Sequence, residues 1–212
     1  MLRLTACILL ALLSISYAAA GSKQTGDFDY YVLALSWSPS WCAIVGDADK
    51  AAQCEPKYDF GFTLHGLWPQ FEKGWPSFCP TKKTAPSRGM TAAMARIMGS
   101  SGLAWHQWDK HGRCSGLSAA EYYGLSSKAY AKINRPPVFR RLLKPLNFPA
   151  KVVESAFLEA NPALRPNMIT VTCKRAHFQE VRICLTKTLE FRTCGRDVLR
   201  DCQQNITFPP VR

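Results

Sequence analysis

The sequence has no internal repeat, no low-complexity segment and no long polar linker, which argues against a repeat array and leaves one domain as the simplest organisation. It has no apolar run of membrane-spanning length. The longest, Leu4 to Tyr17, falls short of the roughly 18 residues a spanning helix needs. No Cys-x-x-Cys pair of the usual zinc-site spacing is present, so a metal cofactor is not expected. Acidic residues are few: 15 against 27 Lys and Arg, a formal net charge of +12. Such an excess favours polyanionic partners through phosphate contacts and counterion release. Histidine is scarce too, with four in 212 residues.

At the start, one positive charge in Met1-Leu2-Arg3 precedes the apolar run and the small residues Ala18-Ala19-Ala20. That order reads as a secretory signal cleaved after Ala20, leaving residues 21–212 as one mature domain with no membrane attachment. Leu4-Thr5-Ala6-Cys7 resembles a lipoprotein cleavage box, but it stands too early to have a hydrophobic segment before it. The expected destination is outside the cytoplasm, periplasmic or extracellular. Loss of Cys7 would leave eight of the nine cysteines: Cys42, Cys54, Cys79, Cys114, Cys173, Cys184, Cys194 and Cys202. An even count behind an export signal implies four disulfides. Asn205-Ile206-Thr207 is a glycosylation sequon, meaningful only in a eukaryotic secretory pathway.

Phe28 to Ser36 is aromatic and β-branched and reads as a buried strand. A second strand is expected from Tyr58 to Leu64, with His65 where it gives way to a loop at Gly66 and Pro69. Helices are expected over Thr91 to Met98, over Trp105 to Gly112, from the capping box Ser118-Ala119-Ala120-Glu121 to Ile133, and from Pro149 to Asn161-Pro162. Strands are expected over Met168 to Lys174, Phe178 to Lys187 and Leu189 to Thr193. Helices and strands without a β-α-β rhythm predict an α+β fold, a central antiparallel sheet flanked by helices.

Three of the four histidines fall in two short segments, Phe62-Thr63-Leu64-His65-Gly66-Leu67-Trp68-Pro69-Gln70 and His106-Gln107-Trp108-Asp109-Lys110-His111-Gly112-Arg113-Cys114. On a helix advancing about 100° per residue, His106, Lys110, Gln107 and His111 share an arc of roughly 140°. Trp108 and Trp105 take the other side, where they can bury against the core. Two imidazoles and an ammonium on one face make an anion site. Metal ligation fits poorly, since His111 stands five positions after His106 and Lys110 lies between them. His177, beside Phe178, reads as a strand residue without a chemical role.

These segments resemble the ribonuclease T2 family. FTLHGLWPQ is similar to the family's first active-site segment, HQWDKHGRC to its second, and FDYYVLALSWSPSWC to its first strand. The resemblance covers most of residues 27–202. It implies a metal-independent endoribonuclease of RNA, inactive on DNA and with monomer as the default, in which His111 is the general base and His65 the general acid of the first step. His106 would hold a phosphate oxygen and Lys110 stabilise the pentacoordinate state. The implied disulfides are Cys42–Cys54, Cys79–Cys114, Cys173–Cys202 and Cys184–Cys194. Trp68 and Trp37 would lie near the substrate, although core packing is an equal reading for Trp68, Trp37 and Trp41 and the favoured one for Trp108. The family usually has glutamate where this chain has Gln107, which implies a slower enzyme or an altered pH profile. The other functional class open to this sequence is a catalytically impaired RNA-binding protein of the same fold.

Overall fold

The structure is a computed structural model that describes residues 25–212. The signal segment expected over residues 1–20, with Cys7, lies outside the described residues. Strands β1 (Tyr30–Trp37) and β2 (Phe62–Gln70) pair antiparallel. β5 (His177–Leu185) lies on the other side of β1, and β4 (Ile169–Lys174) pairs with β5, again antiparallel. The sheet is extended by β3 (Leu146–Pro149) and β6 (Asn205–Phe208), which join β5 through a single parallel pair, His177 with Thr207. The helices are α1 (Ser38–Trp41), α2 (Arg88–Met98), α3 (Ser101–Lys110), α4 (Ala119–Lys132) and α5 (Lys151–Ala160). This is an α+β protein with its sheet flanked by helices.

Alternation along β1 divides the sheet into two faces. Tyr31, Leu33, Leu35 and Trp37 turn into the main core, where Trp37 packs against Phe62, Phe139 and Phe208. Tyr30 and Val32 turn the other way, towards Cys184, Cys194 and Val198. Ser118 and Glu121 form the expected capping box of α4, and Ser87 and Ser100 accept from Met90 N and Leu103 N to start α2 and α3. The disulfides are Cys42–Cys54, Cys79–Cys114, Cys173–Cys202 and Cys184–Cys194. Among the described residues, no helix is long and apolar enough to cross a membrane.

Several expected elements need correction. The second strand does not stop at Leu64 but runs through His65 to Gln70. The helix expected over Trp105 to Gly112 begins earlier, at Ser101, and ends at Lys110, leaving His111 as its cap. Trp105 does not bury beside Trp108; it is exposed, while Trp108 lies in the core. Leu189 to Thr193 is not a strand. Thr186 and Glu190 close a turn there, Leu189 takes a left-handed φ of 68°, and Phe191 makes only an isolated bridge to Leu185. β3 and β6 were not anticipated, because strands of four residues carry too little pattern to stand out from loop.

Candidate active site

The anomaly in β2 positions its histidine. Ala34 pairs with Gly66 while Leu35 pairs with Leu64, so His65 is an extra residue opposite β1, a β-bulge. The bulge changes the parity of the strand. Leu64 and Leu67 both enter the core although three residues apart, and His65, Trp68 and Gln70 all border one cleft. An apolar spacing of two and then three at Phe62, Leu64 and Leu67 is the sequence signal of that bulge.

The cleft has a volume of about 300 Å³. The second wall comes from the end of α3, which delivers His106, Gln107, Lys110 and His111 to it. All six expected site residues therefore border the same space. The Trp68 ring packs against both imidazoles. Its centroid is 5.2 Å from that of His65, edge-on at 81°, and 5.3 Å from that of His111, stacked at 27°. Trp68 is thus not a free platform: it is partly buried against the smaller cluster of Tyr30, Val32, Cys184, Cys194 and Val198 and touches both histidines. Its Nε1 donates to Gln107 Oε1 at 2.7 Å, and Gln107 is only 2% exposed. The carbonyl end of Gln107 is therefore spent on Trp68, and only its NH₂ is left to donate.

His111 is 6% exposed, and its Nδ1 is buried without a hydrogen-bond partner among the described residues. Burial, and then the charges of Lys110, His65 and His106, push its imidazole down to about 3. His111 is therefore neutral before any anion enters. His65 is one-third exposed and meets Glu180 of β5 through Nδ1. Glu180 and its neighbour Arg182, whose guanidinium lies 5.4 Å from the Trp68 ring centroid, complete the cleft. Neither was anticipated. The one signal available was a lone Glu and a lone Arg within the apolar stretch from Phe178 to Leu185. On its other side His65 borders a second cavity of about 400 Å³, lined by Trp41, Gln53, Leu103 and Phe178 among others.

Trp37 and His177 lie outside the cleft. Trp37 is buried, with Nε1 donating to Pro209 O, so core packing is its role. His177 bonds Arg175 O through Nδ1, outside the cleft.

Gly66 has a stereochemical reason to be glycine. A Cβ there would stand 2.1 Å from Gln107 Oε1 and 2.3 Å from Trp68 Nε1, on the hydrogen bond that holds the ring. Gly66→Ala is expected to destabilise the fold by only about 1–3 kcal/mol, the usual cost of overpacking. Its effect on any chemistry at the cleft should be larger, roughly tenfold or more, because Trp68 must leave His111. Thermal unfolding and turnover measured together check this. Unchanged turnover would mean that Trp68 does not set the imidazole positions.

Fold and cleft define a class: a disulfide-stapled α+β protein in which a bulged strand and the end of a helix bring imidazoles and an ammonium to one cleft. The Ribonuclease T2 family pattern matches residues 28–194, and the chain belongs to that family. Among its relatives, a protein named ribonuclease from Aeromonas hydrophila is 41% identical over 122 residues, 57% of this chain and 54% of the relative. The chain thus spans about half the length of that relative. Ribonuclease DdI of Dictyostelium discoideum is 30% identical over 98% of this chain and 99% of its own length. Among solved structures, trichomaglin, described as a novel S-like ribonuclease, superposes with a TM-score of 0.69 at 20% identity, over 88% of this chain and 100% of that one.

Proposed function

We propose that the protein is a metal-independent endoribonuclease that acts on single-stranded RNA outside the cytoplasm. One observation carries the reading: two imidazoles from separate chain segments border one cleft, His65 backed by Glu180 and His111 packed against Trp68. RNA supplies its own nucleophile, the ribose 2′-hydroxyl. His111 takes the 2′-hydroxyl proton as the oxygen attacks phosphorus; the bond from phosphorus to the 5′-oxygen breaks, and His65 gives that oxygen a proton. The product is a 2′,3′-cyclic phosphate. In the second step the roles reverse: His65 takes a proton from water, His111 protonates the departing 2′-oxygen, and a 3′-phosphate remains. His106 and Lys110 stabilise the charge that collects on the phosphoryl oxygens. The incoming phosphodiester offsets the positive charges that add to the effect of burial on His111, which raises its basicity when substrate is in place. The relatives named ribonuclease support this reading, as do the cavities on either side of His65, one for each nucleoside flanking a scissile phosphate.

The test is digestion of a defined oligoribonucleotide in excess chelator, with product ends identified by mass spectrometry. Cyclic phosphate ends that convert to 3′-phosphates, with the matching deoxyoligonucleotide intact, are expected. Loss of cleavage in chelator would point to a metal nuclease. RNA binding without cleavage would favour the impaired binding protein.

Gln107 bears on the rate. An amide held by Trp68 cannot exchange a proton at the transition state as a carboxyl group can. Gln107→Glu should therefore raise turnover somewhere between about pH 4 and 8, by a few-fold to tenfold as one added proton-transfer group. A flat or reduced rate across that range would remove the position from the chemistry.

A further inference from the structure

Glu180 lies on β5 opposite Ser36 of β1 and is 1% exposed. A carboxylate so deeply buried persists in ionised form only when both oxygens are paired. Here both are. Oε1 takes the His65 Nδ1 contact, and Oε2 accepts from Arg182 Nε at 2.9 Å. Burial pushes the Glu180 carboxyl up, but the hydrogen bond and charge of His65, and then Arg182, together hold it below the usual carboxylate range. The other titratable or charged groups that line the cleft with His65 are His106, Lys110, His111, Arg182 and Asp197, and Lys174 lines the cavity on its other side. Among the described residues, no other carboxylate contacts an imidazole of the cleft. The two central histidines are therefore unlike: His65 is backed by a carboxylate, whereas His111 Nδ1 has no partner.

From this juxtaposition we infer that Glu180 is the positioning residue of His65, keeping a proton on Nδ1, turning Nε2 towards the scissile phosphate and stabilising the imidazolium whenever His65 carries the transferable proton. Arg182 in turn orients Glu180, in the way that an orienting third group completes an acid–base pair. The inference rests on the proposed RNA-cleaving function and on His65 acting as the acid of the first step.

A leaving group that needs no proton makes the role measurable. The full chain is assayed on a diribonucleotide, whose 5′-oxygen must be protonated, and on a ribonucleoside 3′-(4-nitrophenyl phosphate), whose phenolate leaves unaided. Glu180→Gln is expected to lower kcat on the diribonucleotide by about 10²-fold, with KM within about threefold, and to leave the nitrophenyl ester within about threefold of wild type. Glu180→Asp should recover part of the loss. In the wild type, ¹⁵N shifts of His65 should report the proton on Nδ1, a readout that needs no variant. Equal losses on both substrates would reduce Glu180 to a packing role and overturn the inference, as would an undiminished kcat on the diribonucleotide or a proton found on Nε2 alone in neutral His65. The control separates the levels. If His65→Ala cleaves the diribonucleotide at the wild-type rate, the acid assignment itself is wrong; if His65→Ala is inactive while Glu180→Gln keeps the wild-type kcat, only the positioning role fails.

Discussion

His111→Ala is expected to lower cleavage of a short single-stranded RNA by about 10³-fold or more, with binding of the uncleaved RNA little changed. A positioned acid or base contributes roughly 10²- to 10⁴-fold, and this base is confined by burial and by the Trp68 ring stacked on it. His65→Ala should cost a comparable factor, and the double variant little more than either alone, since the two groups act in one proton relay. The same substitution carries a second signature in stability. Folded His111 stays neutral down to about pH 3, while the unfolded side chain takes up a proton near its ordinary value of 6.5. Between those pH values the unfolded state binds more protons, so wild-type stability falls as the pH drops through the window. His111→Ala removes that slope. Denaturant unfolding at about pH 7 and pH 4 measures it. A variant with full activity, or one with the wild-type loss of stability on acidification, would contradict the account given of His111.

What could be read from the chain depended on whether a feature was local. His106, Gln107, Lys110 and His111 lie within six consecutive residues, and helical geometry alone places them on one side of α3. The capping box of α4 was visible for the same reason: all its partners lie within four residues. By contrast, Glu180 meets His65 across 115 residues of sequence, and only the register of β5 beside β1 puts it on the cleft face. A lone glutamate in an apolar strand signals an exposed position as readily as a buried ion pair. His65 falls between these cases. Its segment is distinctive, but a bulge there reads as a strand end, because an interrupted alternation and a termination look alike until the pairing strand is known. Trp105 went wrong through overextending the helical wheel: a buried stripe on α3 has room for Trp108 and Ala104, and the next tryptophan turns outward.

Removing the Cys79–Cys114 disulfide should weaken both fold and chemistry, and comparison with a second disulfide separates the two effects. Cys79–Cys114 closes a separation of 35 residues and Cys173–Cys202 one of 29. On the chain-entropy relation, each bond stabilises by about 4 kcal/mol. For a chain of this size, that corresponds to a fall in Tm of about 8–15 °C for either double alanine variant. Their effects on turnover should differ. Cys114 lies in the 3-10 turn Gly112–Ser115 just beyond α3, and beside Cys79 the Phe78 amide donates to Lys110 O at 2.8 Å, so this disulfide clamps the turn that follows Lys110 and His111. Cys173–Cys202 holds neither β2 nor α3. At about 25 °C, where both variants remain folded, loss of Cys79–Cys114 should cost roughly tenfold or more in kcat, and loss of Cys173–Cys202 should cost little. Near-equal turnover in two variants of equal stability would mean that the end of α3 holds its geometry without the clamp, through the packing of Trp108 and the cap at His111 alone.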